Sequence, residues 1–114
     1  MDHWDIASLD VQPQQPEVLR SDDETRVIAI NLPAGDSLRD HQVHERAWLA
    51  VAAGEIEVEH AGETIAGGPG LLVHFEPKER HEVRATSDSR LILMLSPWPG
   101  DGHPSRRGET STAS

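Results

Sequence analysis

The segment His41-Gln42-Val43-His44-Glu45-Arg46 sets three side chains able to hold a metal or move a proton close together, and His81 adds a fourth. A mononuclear metal wants three or four nitrogen or oxygen donors converging from neighbouring strands. Side chains of an extended chain alternate between faces, so His41 and Glu45 share one face and His44 takes the other. A bulge of one residue would bring His44 round instead. The residues therefore admit two sets, His41 and His81 joined either by His44 or by Glu45. Two histidines and a carboxylate would give the open facial arrangement used by non-heme iron and related divalent ions. Glu45 would then serve as third ligand or as general base. The plain alternative is a solvated polar strand end that binds nothing.

Other polar residues are weighed the same way. His60 continues the parity of Ile56 and Val58, and His74 sits in an apolar run, so either could line an interior pocket. The commoner use of such a histidine is a hydrogen bond within a strand or a subunit contact. Arg46 and Arg84 could grip a carboxylate through their planar forks, although glutamates are near enough to pair with both. Trp48 opens an apolar strand and reads as core or interface. His3 and His103 lie in the chain's ends and are given no role. No nucleophile elbow is present, and no Gly-rich loop leads into a helix to cradle phosphate. Cysteine is absent, which removes disulfides and thiolate sites together.

The elements that must position these residues are strands. Val27–Leu32 is a β-branched run closed by Pro33-Ala34-Gly35-Asp36. Ala47–Ala53 is apolar on both parities. Glu55, Glu57 and Glu59 then alternate with Ile56, Val58 and His60 at the period of a half-exposed strand. Ala61-Gly62 and Gly67-Gly68-Pro69-Gly70 mark turns, and Leu71–Phe75, His81–Ala85 and Arg90–Ser96 complete the series. Seven or eight short strands with no helical period predict an all-β sandwich or barrel over residues 25–96. Residues 1–24 read as a lead-in, with one turn near Asp5–Val11 and a short edge strand at Glu17–Arg20. Residues 97–114, rich in Gly, Ser, Thr, Pro and Arg, read as a disordered tail.

The chain has 114 residues, enough for one domain, and 36% of them are hydrophobic, enough for one modest core. Its formal charge is −10, concentrated in residues 1–24, where seven acids face one arginine. Such a surface repels phosphate backbones and anionic lipid, so neither nucleic acid nor membrane is an expected partner. The start lacks a basic and then apolar leader, and no apolar run approaches the ~20 residues of a spanning helix. A cytoplasmic location is the expectation.

Residues 32–95 resemble small single-domain cupins. The first cupin motif is matched by Gly35-Asp36-Ser37-Leu38-Arg39-Asp40-His41, Ala47-Trp48-Leu49-Ala50-Val51 and a closing Gly54. The second, a glycine and a histidine eleven residues on, is matched by Gly70 and His81. The resemblance implies a cupin-type double-stranded β-helix, or jelly-roll barrel. It places the family's four metal-ligand positions on His41, Val43, Ala47 and His81, so two of the four are donor types. That is similar to a subgroup with a depleted first motif. Glu76-Pro77-Lys78 stands where the family's second motif has Pro-x-Gly. What the resemblance implies for function is a small-molecule or metal-binding protein, with one divalent metal ion as cofactor and His41, His44, Glu45 and His81 as the candidate site. The alternatives are a metal-dependent oxygenase or isomerase acting on a small polar substrate, and a regulatory or sensory dimeric barrel. A homodimer is expected, because several strands are apolar on both parities while a small barrel buries only one.

Overall fold

The structure is a computed structural model that describes residues 1–22, 24–41 and 44–99, with the side chains of residues 39–41 outside that description. Its strands are β1 (Glu17–Ser21), β2 (Arg26–Leu32), β3 (Ser37–His41), β4 (Arg46–Ala53), β5 (Ile56–His60), β6 (Glu63–Gly67), β7 (Leu72–Phe75), β8 (His81–Ala85) and β9 (Ser89–Ser96). Eight of them fall in the segment expected to form the barrel, and β1 is the edge strand of the lead-in. They pair as a five-stranded sheet in the order β1-β2-β9-β4-β7 and a four-stranded sheet in the order β3-β8-β5-β6. Every pairing is antiparallel. Among the described residues no helix is long and apolar enough to cross a membrane.

Alternation decides what lies between the sheets. In β4 the buried side chains are Ala47, Leu49 and Val51, and their partners in β9 are Leu95, Leu93 and Leu91. From the facing sheet come Ile56 and Val58 of β5 and Val83 and Ala85 of β8, all buried. Leu91 is fully enclosed. Burying such a side chain is worth about 1.5–3 kcal/mol, so this aliphatic layer holds the two sheets face to face. Leu38 of β3 packs against the same cluster. Beyond Leu38 the β3–β8 pairing slips by one residue, so that His41 rather than Asp40 lies opposite His81. The bulge that would turn His44 inward involves residues 42 and 43, which lie outside the described residues.

Among the described residues, the lead-in covers the β2 side of the larger sheet's outward face. Ala29 faces outward by register yet is buried. The lead-in lies over this stretch: Asn31 donates its side-chain N–H to the Val11 carbonyl at 2.8 Å, Arg90 donates to the Leu9 carbonyl, and Val11 is itself buried. The turn before β2 is held by Asp22, whose carboxylate accepts the N–H groups of Glu24 and Thr25. Those bonds keep its pKa below the ordinary aspartate value. Past β9, Trp98 packs against the core, donates its N–H to the Glu24 carbonyl at 3.1 Å and faces the Arg26 guanidinium. Gly100 onward, most of the stretch read as a tail, lies outside the described residues.

Gly54, between β4 and β5, is where close packing demands glycine. Its φ is +84°, and an added Cβ would stand 2.3 Å from the Asp88 carbonyl oxygen and 2.6 Å from Ser89 Cα. Gly62 shares the positive φ, at +80°, but a Cβ there meets nothing within 4 Å. Gly62→Ala is therefore expected to cost only the backbone strain, roughly 1–2 kcal/mol. Gly54→Ala adds a collision with backbone atoms and is expected to cost more than about 3 kcal/mol. Urea denaturation of both variants checks this, and equal losses would show that the β4–β5 turn relaxes freely.

Candidate functional site

Antiparallel order brings the ends of β3, β5 and β7 and the starts of β4, β6 and β8 to one end of the barrel. His41, His44, His60, His74 and His81, five of the seven histidines, belong to these ends. At the opposite end, near Gly35 and Asp36, the strands turn without a histidine.

His81 opens β8 with the inward parity of Val83 and Ala85, which makes it one of the few buried polar side chains, 6% exposed. Its ring stacks on Phe75 at a centroid separation of 3.7 Å and an interplanar angle of 7°. Phe75 ends β7 and β8 lies in the other sheet, so this stack ties the two sheets together at the histidine end. His81 Nδ1 lies 3.1 Å from the carbonyl oxygen of Glu79. A carbonyl only accepts, so Nδ1 carries a hydrogen, and in a neutral His81 the lone pair is then on Nε2, the atom that can bind a metal or accept a proton.

Glu45 shares the inward parity of Ala47 and Leu49 and is 1% exposed. Strand alternation puts His41 and Glu45 on one face, and the His41 side chain lies outside the described residues. His44, the preceding residue, is half-buried. The backbone of His41 lies opposite His81, while its side chain is outside the described residues, as is Val43. Among the described residues no three His, Cys, Asp or Glu side chains gather closely enough to hold a metal ion. The described donors thus fall short of the three that a mononuclear site wants.

The other weighed residues separate clearly. His74 faces outward and packs on Trp48, with ring centroids 4.5 Å apart. Trp48 is 41% exposed, so it lies on the surface of the larger sheet and not in the core. Arg46 pairs with Glu76 at 3.4 Å, and Arg84 pairs with Glu57, whose hydrogen bond raises the guanidinium pKa. Both arginines are therefore engaged with glutamates of this chain.

His60 contributes a contact that the sequence did not reveal. Its Nε2 lies 2.7 Å from Glu79 Oε2 and its Nδ1 lies 2.8 Å from the Arg80 carbonyl oxygen. Glu79 belongs to the loop between β7 and β8, where strand alternation gives no signal about direction. Its spacing of two from His81 was the only available hint. Beside this pair is a hollow of about 170 Å³ lined by Val58, His60, Glu63, His74, Phe75 and Glu79, among others. A larger hollow of about 250 Å³, bordered by Gln14, Asn31, Asp36 and Leu38, lies toward the opposite end. It holds one carboxylate and no histidine, so proton transfer and metal chemistry have far fewer groups there.

Comparison with known proteins agrees with this architecture. The Cupin domain family model matches residues 28–97. Among solved structures, an RmlC-like cupin from Desulfovibrio desulfuricans superposes with a TM-score of 0.74 at 19% identity, covering 85% of this chain and 97% of that one. KdgF from a Halomonas species superposes with a TM-score of 0.68 at 25% identity, covering 78% and 85%. A cupin superfamily protein from Desulfitobacterium hafniense gives 0.72 at 11% identity, covering 81% and 86%. No curated protein matches the chain. The match over residues 28–97 takes in well over half of the sequence, and the chain belongs to the cupin family.

Proposed function

We propose that this cupin binds a small polar molecule at the histidine end of its barrel. The observation that carries the reading is the burial of Glu45 and His81 at one end of a largely apolar interior. Burying a carboxylate and an imidazole costs desolvation free energy that their partners within the chain serve to offset, whereas leucine would bury there without that cost. A ligand that such groups orient gives the cost a purpose. Thermal unfolding in the presence of small carboxylates, amines and polyols tests this. A compound at a hundred times its Kd stabilises by about 2.7 kcal/mol. The effect should vanish in His81→Ala and survive in Ser37→Ala at the opposite end. Stabilisation that persists in His81→Ala would place the site elsewhere.

A second reading, that the ligand includes one divalent metal ion, is favoured by the register that sets His41 opposite His81. His41 and His81 would hold the ion with His44 or Glu45, and a bound ion would supply Lewis acidity. Wild-type protein titrated with Mn²⁺ or Zn²⁺ should then take up one ion per chain, and His41→Ala should take up none. Equal uptake by the two proteins would contradict it.

The regulatory reading depends on a dimer, and the exposed face supports one. Trp48 and Leu72 are 41% and 54% exposed, and Trp48–Met94 and Ala50–Ile92 are cross-strand pairs on the same outward parity. The lead-in covers the β2 side of this sheet and leaves the β4–β7 side bare. A second copy related by a two-fold axis would bury it. Light scattering at micromolar concentration should give twice 12.5 kDa. Trp48→Glu should return the monomer, and a wild-type mass of 12.5 kDa would reject the dimer.

A further inference from the structure

The loop Glu76–Arg80 joins β7 to β8 and carries the carbonyl that holds His81 in its tautomer. Its turn is made by Pro77 and Lys78, and Lys78 takes a φ of 64° within it. Its order comes from two sets of contacts. Within the loop, the Glu76 N–H donates to Glu79 Oε1 at 2.8 Å and the Glu79 N–H donates to the Glu76 carbonyl at 3.2 Å. From outside, His60 on β5 holds both the Glu79 carboxylate and the Arg80 carbonyl. Both ring nitrogens of His60 lie within hydrogen-bond distance of loop oxygens, and the planar ring fixes the spacing of Glu79 and Arg80. The residues so held are the two that precede His81.

We propose that His60 is a positioning residue for the binding end: it ties the β7–β8 loop to β5, and the loop's Glu79 carbonyl then keeps the His81 lone pair on Nε2. The inference rests on His81 belonging to the ligand site, but its consequence is visible without any ligand. The partner that fixes a histidine's tautomer decides which nitrogen meets the ligand. Glu79 therefore acts twice, by its side chain on His60 and by its main chain on His81. Through that link a residue of β5 controls a nitrogen on β8.

Long-range ¹H–¹⁵N spectra of the imidazoles test the proposal directly. In the wild type His81 should be the Nδ1–H tautomer. In His60→Ala and Glu79→Ala the loop loses its tie and His81 should become a mixture of tautomers, while the backbone amides of β2, β4 and β9 keep their positions. Glu79→Gln should rescue, because its amide oxygen still accepts from Glu76 and its NH₂ donates to a neutral His60. A role in folding alone would shift the core amides and leave the tautomer of the remaining folded protein unchanged. The proposal is overturned if His81 keeps a single Nδ1–H tautomer in both alanine variants, or if Glu79→Gln behaves like Glu79→Ala. A parallel Zn²⁺ titration separates the two claims. If wild-type protein ignores Zn²⁺ but the tautomer responds as expected, the metal reading fails and the positioning role stands. Where Zn²⁺ is bound, the alanine variants should bind it roughly 10–100-fold more weakly.

Discussion

Each strand of a two-sheet barrel can turn only one parity inward, and in this chain that parity is aliphatic almost throughout. Ala47, Leu49 and Val51 meet Leu91, Leu93 and Leu95 within one sheet, and Ile56, Val58, Val83 and Ala85 face them from the other. Close packing of that layer leaves no room for polar groups in the middle of the barrel. Polar side chains of the inward parity are therefore confined to strand ends: Ser89 opens β9 at one end, and Glu45 and His81 lie at the other. Glu45 and His81 are the inward residues that follow from this, one just before β4 and one at the start of β8. Phe75 sits between the aliphatic layer and His81, giving the imidazole a flat apolar wall. The location of the chemistry is thus a consequence of how the core is filled.

The same constraint works on the outside. A sheet whose outward parity is also apolar needs a cover, and the lead-in supplies part of it through the Val11 and Leu9 carbonyls on Asn31 and Arg90. Those two residues are cross-strand partners, so one short segment satisfies both. The acidic character of the lead-in does not prevent this docking, because its carbonyls rather than its carboxylates make these contacts. The rest of the outward face has Trp48 and Leu72 at its centre.

Much of this was legible in the sequence, for identifiable reasons. β-Branched and apolar runs, with period two in residues 55–60, located every strand from Val27 to Ser96 but β3, and Gly–Pro clusters located several of the turns. The inward direction of Glu45 was not legible, because Ala47–Ala53 is apolar on both parities and so does not tell one face from the other. What periodicity could not supply was anything that depends on a loop or on irregular register. The slip between Leu38 and His41 has no signature in residue types. Glu79 lies in an irregular turn, and its tie to His60 spans two elements distant in sequence. The role of the lead-in depends on main-chain carbonyls, which every residue has and which composition therefore cannot reveal. Trp98 was grouped with a Gly- and Ser-rich tail by its neighbours, although one large aromatic side chain suffices to anchor the chain against the core.

The central claim is that binding occurs at the histidine end, and amide and imidazole shift mapping with a set of small carboxylates, amines and polyols tests it most directly. The account predicts that the shifted signals cluster on His44, Glu45, His60, Glu79 and His81. Clustering instead on Gln14, Asn31 and Asp36, around the hollow toward the opposite end, would contradict it.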